Sequence, residues 1–159
     1  MTARPFVVSE RVRWSDCDPM GIIRYDAYTR FFELGESEMF ESIGAGYREI
    51  GPRFGITLPR RVMHMDFVSP PWLGEMLEVD VYVPDVRTTS FTINFDAYGE
   101  GGLLRMAGWL VLVCVAVHAP RSDARDIEKA PLPAAFVERL LPHRLSVDEA
   151  RQGRTLARA

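Results

Sequence analysis

An α+β fold is predicted by the order of the apolar patterns along the chain. One long helical stripe occupies residues 26–44, where apolar side chains recur three or four positions apart. Segments that alternate apolar and polar residues lie before it and, four in succession, after it. Short connections between the later segments favour antiparallel pairing. These observations predict a long central helix wrapped by a five-stranded antiparallel sheet.

The strands are predicted from period-two alternation of apolar residues. In the third of them, Leu77, Val79 and Val81 alternate with Glu78 and Asp80. The last strand is rich in valine and apolar on both faces, which is typical of a covered strand away from the sheet edge. The five predicted strands are residues 6–14, 60–68, 75–86, 88–98 and 103–118.

The long helix has a start and a stop that can be read locally. Asp26 is a candidate N-cap, because its carboxylate can accept hydrogen bonds from the first backbone amides. Gly44 is a candidate C-terminal stop. Gly35 in the helix interior costs about 1 kcal/mol relative to alanine, so we expect it to let the helix approach the sheet closely. A short second helix is predicted at 133–141.

One domain is predicted, spanning residues 1–143, with a polar and loose C-terminal tail at 144–159. A single helix covers only one face of the sheet. The valine-rich strand is apolar on its other face as well, so we expect self-association, as a dimer or a tetramer.

Composition narrows the class of protein. The net charge is −3, which argues against non-specific nucleic-acid binding but leaves room for a local anion site. The N-terminus lacks the pattern of a secretory signal, and the longest apolar run, 110–117, is too short to cross a membrane. Cys17 and Cys114 are expected to be reduced thiols. A cytoplasmic protein without membrane contacts is therefore predicted.

The residues between the first strand and the helix form a recognisable motif. Residues 14–28 read Trp-Ser-Asp-Cys-Asp-Pro-Met-Gly-Ile-Ile-Arg-Tyr-Asp-Ala-Tyr. This segment resembles the signature of the 4-hydroxybenzoyl-CoA thioesterase family, in the branch with Asp-Cys-Asp-Pro. The resemblance extends to residues 67–75, with their proline pair and Gly-Glu turn, and the order of elements follows the family over 6–140.

The resemblance implies a hotdog fold, dimers that pair into tetramers, and hydrolysis of an acyl-CoA thioester without a metal or other cofactor. The family's catalytic carboxylate falls on Asp18. Its oxyanion donor, a backbone N–H where the chain enters the helix, falls on Tyr25.

The chemistry of the residues agrees with that implication. A carboxylate just before a helix can attack a thioester carbonyl or activate a water, and Asp18 leaves both roles open. The free amides of a helix N-terminus can stabilise the oxyanion. Gly21 lets the backbone approach the substrate closely, so we group it with Asp18 and Tyr25 as catalytic.

Simpler interpretations exist for the same residues. Asp18 can be a turn residue that satisfies backbone donors before Pro19. Asp16 is expected to be a structural turn carboxylate, and an Asp16–Asp18 magnesium site lacks further oxygen ligands nearby. Cys17 has no histidine near it in sequence and is expected to be buried and inert.

Four further residues are candidates for substrate binding. Glu33 on the helix can bind a polar end of the acyl group, Tyr28 lies on the same helix, and His64 lies on a strand. Arg87 is the one charge left in a stretch that is basic in the resembling branch, which weakens the predicted contacts to the CoA phosphates. Possible substitutes are Arg60, Arg61, Arg105 and Arg121.

Three hypotheses for function follow from the sequence. The first is hydrolysis of an acyl-CoA with an aromatic or short-to-medium acyl group. The second is hydrolysis of a thioester on an acyl carrier protein. The third is a non-catalytic acyl-binding protein of the same fold.

Overall fold

The computed structural model describes residues 3–117 and 128–158, and these contain a long helix packed against a five-stranded antiparallel sheet. The helices are α1 (Tyr28–Ser42), α2 (Ile50–Phe54), α3 (Ala134–Leu140) and α4 (Val147–Arg158). The strands are β1 (Phe6–Arg11), β2 (Ile56–Thr57), β3 (Arg60–Phe67), β4 (Met76–Val86), β5 (Ser90–Tyr98), β6 (Leu104–Val113) and β7 (Val115–Ala116). The predicted α+β class and the hotdog arrangement are confirmed.

The sheet order is β1-β4-β5-β6-β3, and β2 pairs with β7 in a separate ribbon. One row of paired residues crosses all five strands, namely Phe6, Val81, Phe95, Gly108 and Met65. Because side chains alternate between the faces of a strand, this row defines the face that packs on α1. We call it the inner face and the opposite one the outer face.

Two glycines explain how closely α1 lies on the inner face. A Cβ added at Gly35 would lie 2.8 Å from Val81 and 3.3 Å from Val79. A Cβ added at Gly108 would lie 2.5 Å from the ring of Phe32. The predicted use of Gly35, close approach of helix and sheet, is confirmed.

The two ends of α1 differ in how well the sequence predicted them. Gly44 follows the helix with φ of +66° and its N–H reaches the Glu41 carbonyl, as expected of a stop. The prediction that Asp26 is the N-cap is wrong. Asp26 lies inside a 3₁₀ turn, Tyr25–Ala27, that precedes α1, and its carboxylate is 3.3 Å from Arg24.

The C-terminal segment is not a loose tail. Residues 147–158 form α4, which crosses the outer face. Arg151 donates to both oxygens of Asp96 at 2.8–2.9 Å, and Arg154 pairs with Asp80 and Glu78. The outer face over β4 and β5 is therefore covered by the chain's own helix, which the sequence analysis had left open.

The strands predicted from the sequence agree in outline with those of the structure. The strand predicted at 103–118 divides at Cys114 into β6 and β7, and His118 lies outside the described residues. As predicted, β6 is not an edge strand, because it pairs with both β5 and β3. In the described part of the chain, no helix is long and apolar enough to cross a membrane.

Candidate active site

Residues 16–25, here called the motif hairpin, fold back on themselves between β1 and α1. The Arg24 amide donates to the Asp16 carbonyl at 2.8 Å, and the Asp18 amide donates to the Ile22 carbonyl at 2.9 Å. Gly21 closes the tip, with its N–H 3.0 Å from the Asp18 carbonyl. Its φ of +76° belongs to the left-handed region, where any residue with a Cβ would be strained, and this explains why a glycine is found here.

The Asp18 carboxylate is held by its own turn. Its Oδ1 accepts the N–H groups of Met20 at 2.8 Å and Ile22 at 3.3 Å. Among the described residues, no donor is recorded for Oδ2. The role of a turn residue therefore accounts for Oδ1, whose two hydrogen bonds fix the orientation of the carboxylate. It does not account for Oδ2.

Tyr25 is the first residue of the 3₁₀ turn that leads directly into α1. The first amides of a helix have no partner inside it, and within the described residues no acceptor is recorded for the Tyr25 N–H. Its side chain is 79% exposed. The structure thus places Asp18 and the Tyr25 amide on one short hairpin.

Asp16 has a different environment from Asp18. It is 4% exposed and accepts the Arg13 amide at 2.8 Å and the Nε of Arg30 at 2.9 Å. Burial alone raises the pKa of Asp16, but the hydrogen bonds and charges of Arg30 and Arg13 outweigh it and lower the pKa below its usual range. Asp16 therefore anchors the motif hairpin to α1, in line with the structural role expected of it.

The carboxylate pair shows no further metal ligands. Among the described residues, no three histidine, cysteine or acidic side chains converge as they would around a metal ion. Cys17 is half-buried, and burial, followed by the charges of Asp16 and Asp18, raises the pKa of its thiol. Nucleophilic thiolate chemistry at Cys17 is therefore disfavoured.

A cavity of about 480 Å³ opens between α1 and the β3–β6 side of the sheet. Its walls combine apolar and polar side chains, which are Thr29, Phe32, Glu33, Glu36, Tyr47, Arg60, Met63 and Leu110. Glu33 is exposed and lines this cavity, and its contact with an acyl group stays a prediction. The size and mixed lining are those of a small-molecule site.

Sequence reasoning missed the most buried polar group of this cavity. In the sequence, Glu36 lies off the apolar stripe of α1, yet in the structure it is 2% exposed. Arg60 donates to it at 2.6 Å and also contacts the Tyr47 hydroxyl. Burial raises the pKa of Glu36 even though Arg60 opposes the shift. The position of Glu36 next to Gly35, on the sheet side of the helix, was the available signal.

Two of the predicted substrate-binding residues, Tyr28 and His64, lie outside the cavity. Tyr28 is buried, with its ring centroid 4.7 Å from that of Phe67, and acts as a packing residue. His64 lies on the outer face, stacked on Trp109 at 5.4 Å. Neither lines the cavity, because Tyr28 is enclosed by the core and the outer-face side chains point away from α1.

Arg87 lies at the far end of the sheet from the motif hairpin. It follows β4, next to the end where Ser90 pairs with Val113, and it pairs with Asp85 at 2.7 Å. Of the possible substitutes for CoA binding, Arg60 lines the cavity and pairs with Glu36. Arg105 is committed to Glu75, and Arg121 lies outside the described residues.

Large apolar side chains are exposed around the motif hairpin. Trp14 and Met20 are 77% and 76% exposed, and Trp72 is 52% exposed. Trp72 is joined to the hairpin by a bridge to Ile22. Exposed aromatic and apolar groups beside a carboxylate are typical of a surface that binds a ligand or a partner.

Comparison with known proteins assigns the chain to a family. The model of the thioesterase-like superfamily matches residues 12–140, which include the motif hairpin, α1 and four strands of the five-stranded sheet, β3 to β6, but not β1. The chain belongs to the thioesterase-like superfamily. As a member of that superfamily, it carries Asp18, Gly21 and Tyr25 inside the matched region.

Individual relatives are distant. A 1,4-dihydroxy-2-naphthoyl-CoA hydrolase of Thermosynechococcus vestitus is 23% identical over 91 residues, which are 57% of this chain and 62% of that protein. The match therefore spans less than two thirds of that relative. A 1,4-dihydroxy-2-naphthoyl-CoA thioesterase of Synechocystis has a similar structure, with a TM-score of 0.74 at 19% identity over 86% of this chain and 95% of that one.

A third similar structure is a variant of 4-hydroxybenzoyl-CoA thioesterase in complex with 4-hydroxybenzoyl-CoA. The TM-score is 0.74 at 22% identity, and the match covers 87% of this chain and 99% of that one. At this level of identity the likeness establishes the fold.

Proposed function

We propose that the protein hydrolyses an acyl-CoA thioester to the free acid and CoA. Asp18 attacks the carbonyl or activates the attacking water, and the Tyr25 N–H, in the 3₁₀ turn that leads into α1, binds the developing oxyanion. The observation that carries this proposal is the Asp18 carboxylate, oriented through Oδ1 by two amides, on the hairpin that presents the Tyr25 amide. Membership of a superfamily of thioesterases supports it.

The acyl group is proposed to occupy the cavity beside α1. Glu33 lies eight residues beyond Tyr25. The 3₁₀ turn rises about 2 Å per residue and α1 about 1.5 Å, so the two residues are separated by roughly 14 Å along the helical segment. Helical side chains tilt towards the N-terminus, so the carboxylate lies closer to the thioester than this figure. An aromatic acyl group would then lie between Phe32 and Met63 with its far end near Glu33.

A neutral hydrogen-bond donor suits that far end. The cavity holds Glu33 and Glu36 but only one arginine, Arg60, so a carboxylate on the acyl group would meet excess negative charge. An alkyl tail would cover part of the Glu33 side chain and offer its carboxylate no hydrogen bond. A hydroxyl group can donate to Glu33, which favours hydroxylated aromatic acyl-CoAs, the class named in the relatives.

The reaction is proposed to need no metal or other cofactor, since the helix N-terminus supplies the positive end that an oxyanion requires. A cytoplasmic location also stays a proposal.

The edge strand β3 supports self-association. Within the described residues β3 pairs only with β6, and it exposes Val62, Met63 and Phe67. We propose a homodimer, or a tetramer of such dimers, in which β3 edges of two copies meet.

Two measurements test these proposals. Thiol release is followed with a panel of hydroxyaryl-CoA, alkyl-CoA and acyl-carrier-protein thioesters. We expect the highest kcat/KM with hydroxyaryl-CoA, and Glu33→Gln should reduce that preference. A wild-type protein inert on every thioester would favour an acyl-binding role, and activity on carrier-protein substrates alone would favour that class. Light scattering should give at least twice the 18.0 kDa of the chain; a monomer would contradict the assembly.

A further inference from the structure

A buried ion pair outside the cavity lies behind the motif hairpin. Glu75 is 5% exposed, and the Arg105 side chain is 12% exposed. Arg105 donates Nε and Nη2 to one oxygen of Glu75 at 2.9 and 2.8 Å. Neither residue lines the cavity that is proposed to hold the acyl group.

Glu75 also accepts hydrogen bonds from two backbone amides. Oε1 also accepts the Glu100 N–H, and Oε2 accepts the Trp72 N–H, both at 3.0 Å. Burial alone raises the pKa of Glu75, but these amides and Arg105 outweigh it, so the pKa lies below its usual range and the group is ionised at neutral pH. A buried carboxylate with this many donors fixes the segments that supply them.

The segment fixed by Glu75 contacts the motif hairpin. Trp72 forms an antiparallel bridge with Ile22, and the Leu73 amide donates to the Gly21 carbonyl at 3.1 Å. The Ile23 amide reaches the Pro71 carbonyl at 3.4 Å. Residues 71–73 therefore run beside residues 21–23, the returning half of the hairpin, like a third strand.

The returning half of the hairpin holds the Asp18 carboxylate. Ile22 donates its N–H to Oδ1 of Asp18 and accepts the Asp18 N–H on its carbonyl. A continuous series of contacts thus runs from Arg105 through Glu75 and Trp72 to Ile22 and Asp18. Ile22 is the junction, since it touches both Trp72 and the carboxylate.

We propose that Glu75, held by Arg105, is a positioning residue that sets the orientation of the Asp18 carboxylate through Trp72 and Ile22. This inference rests on the proposed thioesterase function for its kinetic consequence. Glu75 touches no reacting atom in this mechanism. A carboxylate that attacks or activates water must be aligned closely, because a displacement of about 1 Å can cost up to roughly 100-fold in rate.

The test compares Glu75→Gln with a matched variant, Arg154→Gln. Both break a buried arginine–carboxylate pair, but Arg154 belongs to α4, over the outer face, and has no contact with the hairpin in the described residues. Glutamine at 75 retains the size of the side chain and loses its charge. Arg105→Lys is the second variant, because it keeps the charge and loses the fork that also reaches Ser69.

Two readouts are used on the full-length protein. The first is amide hydrogen exchange at Ile22, measured by NMR without substrate. We expect Glu75→Gln and Arg105→Lys to speed this exchange at least about ten-fold by local opening of the hairpin. Arg154→Gln lowers the stability of the fold as a whole and should leave this local exchange unchanged. The second is steady-state kinetics, where Glu75→Gln should lower kcat between about 10-fold and 100-fold with KM within about two-fold. In an Asp18→Asn background, Glu75→Gln should add no further loss.

Each contrary result has a definite meaning. Unchanged Ile22 exchange in both hairpin-side variants overturns the inference, and so does an equal change in Arg154→Gln, which would indicate general loss of stability. A full additional rate loss in the Asp18→Asn background also overturns it. If the wild type hydrolyses no thioester, the proposed function fails, while the exchange measurement still decides whether Glu75 orders the hairpin.

Discussion

In the motif hairpin, Asp18 receives two amides of its own turn on one oxygen, whereas under α4 Asp96 receives Arg151 on both oxygens and the Tyr82 hydroxyl on one of them. Both regions bring a carboxylate into a partly or fully buried place. They differ in the groups that bind the carboxylate. Backbone amides orient Asp18 without neutralising its charge, whereas the guanidinium group of Arg151 neutralises the charge of Asp96.

The contrast separates a carboxylate that remains available from carboxylates that hold the fold together. We call the pairs of Arg151 and Arg154 with Asp96 and Asp80 the arginine clamp. Asp16 shows that sequence proximity does not decide the role, because it lies two residues from Asp18 and yet pairs with Arg30. Substitutions in the hairpin and in the clamp should therefore affect activity and stability separately.

The largest expected effect is on turnover in Asp18→Asn. Asparagine keeps the oxygen that accepts the Met20 and Ile22 amides, so the hairpin should fold. It cannot attack or deprotonate water, and we expect kcat to fall by about 10²–10⁴-fold. Thiol release measures the rate, and thermal unfolding measures the fold. A kcat within a few-fold of the wild type would remove Asp18 from the mechanism.

The clamp should show the opposite pattern in Arg154→Ala. Removing Arg154 leaves Asp80, which is 3% exposed, without its cation, and breaking such a buried pair costs about 3–5 kcal/mol. Urea unfolding should show this loss, with kcat at 25 °C close to that of the wild type.

Arg151→Ala is the matched control for that variant. The Arg151 side chain is 45% exposed, and Asp96 keeps the Tyr82 hydroxyl, so the loss of stability should be smaller. Equal destabilisation by the two substitutions would show that docking of α4, rather than pairing of the buried acid, decides the stability.

The pH dependence of stability should have opposite signs in the two regions. The pKa of Asp16 is lowered, so its contribution is present above its ordinary pKa of 3.8 and is lost as the pH falls through the lower folded value. Burial raises the pKa of Asp80 despite Arg154, so its contribution is present below 3.8 and is lost as the pH rises through the folded value.

Urea unfolding of the wild type, Asp16→Asn and Asp80→Asn between pH 6 and pH 3 tests this difference. As the pH falls, the free energy of unfolding of the wild type should decrease relative to that of Asp16→Asn. Over the same pH range, it should increase relative to that of Asp80→Asn. Parallel trends would mean that the two carboxylates are in equivalent electrostatic environments.

The smallest expected effect is that of chelation. If the Tyr25 amide and the helix dipole stabilise the oxyanion, prolonged treatment with EDTA should leave kcat and KM unchanged. Loss of activity that magnesium or zinc restores would require the hairpin carboxylates to be reinterpreted as metal ligands. Addition of each metal to untreated protein is the control for inhibition.

Much of the candidate site could be predicted because its parts are neighbours in sequence. Asp18, Gly21 and Tyr25 lie within eight residues, so turn chemistry and the helix start place them together. Glu33 follows on the same helix. Glu36 was missed because a charged residue one position from the apolar stripe is usually solvated, and Arg60, which compensates for its burial, lies 24 residues away.

The sequence by itself determined the α+β class, the order of the long helix and the five strands of the main sheet, the close approach at Gly35 and the motif that carries Asp18. These depend on local periodicity and turn geometry, which act over a few residues. Only the tertiary structure decided that Glu75 and Arg105 support the hairpin and that α4 covers the outer face. These pairs join residues 30 to 76 positions apart, so no local pattern records which cation compensates which buried acid.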